Sequence, residues 1–370
     1  MTNGPRTVLL GATGYLGAIT ARALVERGLT PILAGRDGHK LAQLSDELGG
    51  LDFRIADARD RGSLTALISP GDVVISTITP FRTVGEEVVR AAVTRRAHYL
   101  DVAPEPPWVR TVFQKWGRPA REAGVVVMPS VGFSFSPGNI AGAAALQEAG
   151  QEATKVQVAY FVLGDFEQNS FSAGVLESVT GALFEPGLVR RDGVIDTEMP
   201  GRRERTYTID GLERRAISVG GPEHFTLAQF QPRVRDVDVF IGWLQTDPKG
   251  RSLLPKSATS TARLSPGRAM TKFMHRRMVR DAEAGPDSVG RTGMVSMVVA
   301  EAMDSAGNTL SRVTLTGPNP YDLTARLLAW HAIAVPNCGP AAAGATGPVN
   351  AFGLTSAIEG ARQAGLERVD

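Results

Sequence analysis

Along the first third of the chain, apolar residues fall into short continuous runs separated by longer stretches with a helical repeat. Val8–Leu10 is such a run, and Leu16, Ile19, Ala23 and Leu24 then recur at a spacing of three and four. The run reads as a buried strand and the recurrence as one face of a helix. That spacing predicts a helix over 15–27, stopped by Gly28. The alternation continues, with strands expected at 31–34, 53–56, 73–77, 99–102 and 125–129. Helices are expected at 39–48, 63–68, 85–95 and 109–123. Strands that alternate with helices predict an α/β fold with a doubly wound parallel sheet. In such a sheet ligands bind at the carboxyl ends of the strands, so every strand end becomes a candidate site.

From about residue 142 the pattern changes to period two. Strand-like runs are expected at 155–163, 205–209, 223–230, 234–243 and 291–302, with a hairpin or loop at 187–196 and a helix at 170–183. Alternation with polar residues predicts a second, α+β domain on a mostly antiparallel sheet with one exposed face. The runs at 155–163 and 234–243 offer apolar surface that a homodimer would cover. Helical spacing returns at 319–334 and 348–364, around a loop holding Pro336, Gly339 and Pro340.

Composition narrows the function classes. The 370 residues are 43% apolar, enough for two cores. Forty basic against 38 acidic residues leave a net charge of +2, which gives no argument for nucleic acid as a partner. The single cysteine, Cys338, forms neither an internal disulfide nor a metal site, and points to a reducing, cytoplasmic setting. No Cys/His/Asp cluster has metal-ligand spacing. The N-terminus has no signal-peptide pattern, and no apolar run is long enough to span a membrane.

The first strand leads straight into Gly11-Ala12-Thr13-Gly14-Tyr15-Leu16-Gly17. Three glycines between a strand and a helix suit a pyrophosphate: one for the tight turn, one for close approach of the phosphates, one for helix–sheet packing. The second strand ends at Gly35-Arg36-Asp37. An NAD site places an acidic residue here for the ribose hydroxyl, whereas arginine suits a 2′-phosphate, so NADP is the expected cofactor. Asp37 is the alternative ribose ligand. Asp57-Ala58 ends the third strand, where a carboxylate can accept from the adenine amino group. Thr77, Thr79 and Pro80 end the fourth, on the path of the nicotinamide ribose.

The glycine pattern also occurs in short-chain dehydrogenases, whose chemistry needs a tyrosine with lysine four residues on. The tyrosines at 15, 99, 160, 207 and 321 are followed at that spacing by Ile19, Ala103, Gly164, Gly211 and Ala325. The chain instead resembles the saccharopine dehydrogenase-like reductases over most of its length. The resemblance rests on Gly11–Gly17, on Leu33–Arg36 with Lys40-Leu41, and on Ile55–Ala58. It continues through Thr79–Phe81, HYLDVAPE at 98–105 and VGFSFSPGNIA at 131–141. The family pattern carries Asp and Ser where this chain has Ser134 and Phe135, which makes an expected polar pocket more apolar and weakens an amino-acid substrate.

The resemblance implies hydride transfer from a nicotinamide to a C=N bond, as in saccharopine reductases, or to a C=C bond of a carrier-bound acyl group, as in trans-acting enoyl reductases. It also implies a dinucleotide-binding domain over 1–141, a substrate and dimerisation domain over 142–318, and helices at 319–370 that pack back on the first. Tyr99 and Asp101 are the candidate proton-handling residues, with Val102 beside the cofactor. Glu105, Phe133, Ser134, Ser170 and Ser172 are candidates for the substrate pocket, which both domains are expected to line. Residues 268–280 place Met270, Met274 and Met278 on one stripe beside Lys272, Arg276 and Arg280, a face that suits an acidic carrier or CoA. The rival function class is an NADP-sensing regulator without turnover.

Overall fold

The computed structural model describes residues 4–164, 172, 185–242 and 288–370. The helix expected at 170–183 and the basic, methionine-striped stretch at 268–280 lie outside the described residues, apart from Ser172. Two compact units emerge, and neither is one continuous stretch. The first comprises residues 1–103, 108–140 and 321–366, the second 104–107, 141–320 and 367–370.

In the first unit, apolar runs become the strands β1 (Thr7–Leu10), β2 (Ile32–Gly35), β3 (Phe53–Ile55), β4 (Val73–Ser76), β5 (His98–Asp101) and β6 (Val126–Met128). Helices α1 (Tyr15–Glu26), α2 (Gly38–Glu47), α3 (Arg61–Leu67), α4 (Phe81–Thr94), α5 (Pro106–Thr111) and α6 (Gly117–Ala123) fall between them. The helix expected from Gly85 begins four residues earlier, because Pro80 already serves as its N-cap. The strands order as β6-β5-β4-β1-β2-β3, all parallel, with a short strand Gly344–Ala345 beyond β6. The order reverses between β1 and β4, which opens a crevice at their carboxyl ends. One core packs Val8, Leu10, Val74 and Tyr99 against α3 and α4 through Leu64, Val84 and Val88. On the other face Leu9, Leu33 and Ile75 meet Ala325, Leu328 and Ala329 of the late helix Pro320–Ala334.

The second unit contains β7 (Lys155–Gly164), β8 (Gly187–Arg191), β9 (Val194–Glu198), β10 (Glu204–Ile209), β11 (Leu212–Val219), β12 (Asp236–Ile241), β13 (Met294–Met303) and β14 (Thr309–Gly317). Its sheet runs β10-β11-β12-β7-β13-β14, closed by the short strand Glu367–Arg368. The β8–β9 hairpin hangs on β12. The sheet is mixed: β12 and β7 are parallel while the other pairs are antiparallel.

Two expectations need correction here. The central strands β7 and β13 are buried on both faces rather than one. Glu223–Phe230 is a helix, not a strand. Phe225 and Leu227 mimic a period of two, but Gly220-Gly221-Pro222 ahead of them starts a helix through bonds from the Phe225 and Thr226 N–H groups to the Pro222 carbonyl. Leu227 then packs so tightly on Gly142 that a Cβ there would lie 2.8 Å from it. Because the helix is buried almost all round, periodicity does not reveal it.

Burial also fixes how stability responds to pH. It pushes the Glu223 carboxyl up to about 8, against the opposing effect of the Tyr160 hydroxyl. It pushes His224 and His331 down to about 4. The contribution of the neutral glutamate is complete below about 4.5 and is lost as pH rises through about 8, roughly 5 kcal/mol in all. That of each neutral histidine is complete above about 6.5 and is lost as pH falls through about 4, roughly 3 kcal/mol each. Two histidine slopes outweigh one glutamate slope in acid, so Tm is expected to peak near pH 6.5 and to decline toward pH 8. A Tm that stays flat from pH 6 to 9 would contradict this balance.

Candidate functional site

The site is built at the carboxyl ends of β1, β2 and β4. Gly11 donates to the Ala34 carbonyl at 2.8 Å, which ties the turn after β1 to the end of β2. Gly11 adopts φ +91°, and a Cβ there would stand 2.7 Å from Thr77 Oγ1. At Gly17 a Cβ would stand 2.1 Å from the Gly11 carbonyl oxygen. Both positions therefore need glycine on steric grounds. Thr77 Oγ1 lies within hydrogen-bond reach of the Leu10 and Gly11 carbonyls, at 3.3 and 3.2 Å. Gly14 is exposed and caps α1 without a side-chain hydrogen bond. The positive end of α1 is thus left to an external anion, and Gly14 presents bare backbone to it.

The next turn separates Arg36 from Asp37. Asp37 Oδ1 accepts from the His39 and Lys40 N–H groups, both at 3.1 Å, and so caps α2. Arg36 is exposed and has no ion-pair partner among the described residues. One oxygen of the neighbouring carboxylate is therefore engaged, while the guanidinium is available to a phosphate. Beyond it Ile55 ends β3 with 68% of its surface exposed, and a Cβ on Gly38 would stand 2.8 Å from its Cδ1. Asp57 is half-buried; its Oδ1 accepts from Arg59 N and its N–H donates to Ser63 Oγ. Ala58 is buried beside it.

Tyr99 and Asp101 are sealed in the first unit at 0% exposure. Asp101 Oδ2 accepts from the Tyr99 hydroxyl at 2.9 Å and from Trp108 Nε1 at 2.7 Å. Its Oδ1 accepts from the Ala103 and Ser130 N–H groups at 2.9 and 2.8 Å. Burial pushes this carboxyl up while the four donors oppose that shift. Asp101 thus ties the end of β5 to the 130–136 loop, where Ser130 (φ +63°) and Phe135 (φ +93°) both hold the left-handed region. Two non-glycine residues of this kind in one buried loop store strain that the surrounding bonds must hold. Asp101→Asn would set an amide N–H₂ against donors. Its expected cost is roughly 2–5 kcal/mol, read as a lower Tm; an unchanged Tm would remove the anchoring role.

The remaining candidates divide between the units. Val102, Thr79 and Pro80 are half-buried in the first unit. Phe133 is buried there and donates its N–H to Thr324 Oγ1, while Ser134 is half-buried. Glu105 and Ser172 are buried in the second unit, and Ser170 lies outside the described residues. Sequence patterning misses Trp108 and Ser130 as partners of Asp101, because those bonds close across seven and 29 residues without a motif. It also misses a buried set in the second unit. There the Tyr160 hydroxyl donates to Glu223 Oε1 at 2.5 Å, and His224 Nδ1 meets the Gly221 carbonyl at 2.8 Å.

Residues 7–128 match the family model of the saccharopine dehydrogenase NADP-binding domain. This segment is thus a domain of the saccharopine dehydrogenase NADP-binding type. Its glycine turn, Arg36 and Asp57 all lie inside the NADP-binding domain so defined. The chain is 33% identical over 145 residues to a lipid droplet localized protein of Caenorhabditis elegans, covering 36% of this chain and 34% of that protein. It is 26% identical over 183 residues to a trans-acting enoyl reductase of Mycobacterium ulcerans, covering 48% and 44%. The chain thus spans about a third to a half of the length of these relatives. Its fold is similar to that of the L-Glu-forming saccharopine dehydrogenase of Saccharomyces cerevisiae, with a TM-score of 0.59 at 15% identity over 99% of both chains. Among the described residues no helix is long and apolar enough to cross a membrane.

Proposed function

We propose that the chain is an NADP(H)-dependent reductase that transfers a hydride to a C=C or C=N bond of a small or carrier-bound metabolite, working as a cytoplasmic homodimer. One observation carries the reading: the glycine turn, without a side-chain cap, and Arg36, without an ion-pair partner among the described residues, stand on neighbouring strand ends, while Asp37 Oδ1 caps α2. Gly11, Gly14 and Gly17 would admit the pyrophosphate to the start of α1, and Arg36 would hold the 2′-phosphate. Thr77 keeps the turn closed from behind. Asp101 acts by anchoring the strand end and the strained 130–136 loop, as a positioning residue. The nicotinamide supplies the hydride; the protein supplies orientation, exclusion of water and a proton. The enoyl reductase and oxidoreductase relatives support the reaction class.

The sealing of Tyr99 and Asp101 favours a second reading, an NADP-binding regulator without turnover. Loss of NADPH absorbance in the presence of enone and imine panels separates the two. Turnover with any acceptor establishes the reductase, whereas NADPH binding without oxidation across both panels establishes the regulator.

A further inference from the structure

We propose that the open edge of β10 is the seam of a homodimer, in which Glu204–Ile209 pairs antiparallel with the same strand of a second copy about a twofold axis at Thr206. The inference rests on the homodimer of the reading above and names its surface. β10 ends the sheet of the second unit, and among the described residues it pairs with β11 alone. The Ser218 N–H donates to the Arg203 carbonyl at 2.9 Å, and the register then runs through Arg205↔Ala216 and Tyr207↔Arg214 to Ile209↔Leu212. In an antiparallel ladder successive residues turn their backbone groups to opposite sides. The odd-numbered residues therefore spend their N–H and C=O groups on β11. Those of Glu204, Thr206 and Thr208 point outward and meet no partner among the described residues. All three residues are exposed. The strand holds no proline and its register with β11 is unbroken, so nothing blunts the edge. At the opposite end of the sheet Glu367–Arg368 covers β14 at Leu315 and Thr316, and the Thr314 N–H donates to Asp370 Oδ1 at 2.8 Å.

Parity and charge select the occupant. A twofold pair of identical strands must match outward-facing residues with outward-facing residues. With the axis at Thr206, Glu204 of each copy meets Thr208 of the other, and Thr206 meets its own twin. That makes three facing pairs, each exchanging two hydrogen bonds. Between them Arg205 of one copy faces Tyr207 of the other. Within its own chain Arg205 already lies 5.0 Å from the centre of the Tyr207 ring, so guanidinium and ring meet again without like charges opposed. Sliding the axis by one residue either way leaves two pairs, and at Arg205 it sets the two guanidinium groups face to face. β9, another strand with an open edge in this unit, fails the same test. Its register with β8 turns Ile195 and Thr197 outward, and a twofold axis between them sets Asp196 against Asp196. β10 is thus self-complementary where β9 repels its twin.

The test is light scattering and sedimentation of the whole protein at tens of micromolar, where wild type is expected to be a dimer. Thr206→Pro removes the central outward N–H of each copy and none of the bonds to β11, a change that an edge strand accepts. The dimer Kd of T206P is expected to rise about 10- to 100-fold. Thr206→Glu keeps the strand and sets its carboxylate beside Arg215, its cross-strand neighbour, yet opposes two carboxylates at the axis. T206E is therefore expected to be folded and monomeric. Thr206→Cys is expected to cross-link two chains under mild oxidation, because facing residues of such a pair stand about 5.5 Å apart. Thr208→Cys, whose twin would stand about 14 Å away along the strand, is expected to stay uncross-linked, as is wild type with Cys338. A wild-type dimer that T206P and T206E leave intact, or equal cross-linking by T206C and T208C, overturns the seam alone and leaves the homodimer to another surface. A monomeric wild type overturns the homodimer and the seam together, and leaves the edge to a foreign strand.

Discussion

Arg36→Asp is expected to raise the Kd for NADPH by at least 10- to 150-fold while leaving NADH binding little changed. A guanidinium offers phosphate two parallel, charge-assisted hydrogen bonds, worth roughly 1.5–3 kcal/mol. At about 1.4 kcal/mol per tenfold, that range gives the stated factor before any repulsion from the new carboxylate. The variant should also lose salt sensitivity, because the screened attraction is gone. Asp37 spends Oδ1 on the His39 and Lys40 N–H groups, which leaves only Oδ2 for a ribose hydroxyl. Fluorescence titrations of both nucleotides at two ionic strengths check the claim. Equal wild-type affinity for NADH and NADPH would sink it.

Gly17→Ala is expected to weaken both nucleotides alike, by more than tenfold. The added methyl would stand 2.1 Å from the Gly11 oxygen and 2.9 Å from the Gly11 carbonyl carbon, both backbone atoms that no rotamer can move. Relief requires α1 to lift from the turn, and the pyrophosphate cradle goes with it. Overpacking of this kind costs on the order of 1–3 kcal/mol and more where backbone is the obstacle. In a unit of this size that lowers Tm by about 2–4 °C per kcal/mol. Gly28→Ala is the control. It has φ +79° but nothing within 4 Å of the new methyl, so it should cost stability without selectively touching nucleotide binding. Retained nucleotide affinity in the Gly17 variant would show that the turn does not set the cradle.

The first sheet is legible in the sequence because each strand is a local apolar run and each helix a local repeat. The glycine turn is legible for the same reason: its glycines answer to one another within seven residues. Arg36 is legible only as a position; that Asp37 caps α2 through Oδ1 emerges from two backbone bonds that the sequence does not display. Asp101 is visible as a carboxylate at a strand end, but its four donors come from Tyr99, Ala103, Trp108 and Ser130. Only folding gathers them, and together they tie the strand end to the 130–136 loop. Glu223 is hidden more deeply. Its helix is buried almost all round, so the pattern that should announce it is absent, and its partner Tyr160 lies 63 residues away.

The division of the chain into interleaved segments bears on how the protein is made. A ribosome releases residues 7–128 first, yet Leu9, Leu33 and Val126 share a core with Ala325, Leu328 and Ala332. Helices α1 and α2 cover part of that face through Leu24, Leu41 and Leu44, but until some two hundred further residues have been synthesised the cover given by the 320–334 helix is missing. The later-emerging residues 141–320 supply most of the other unit before the first can close. Nascent chains stalled near residue 300 should therefore engage chaperones through the nucleotide-binding sheet, and release should coincide with emergence of the 320–334 helix.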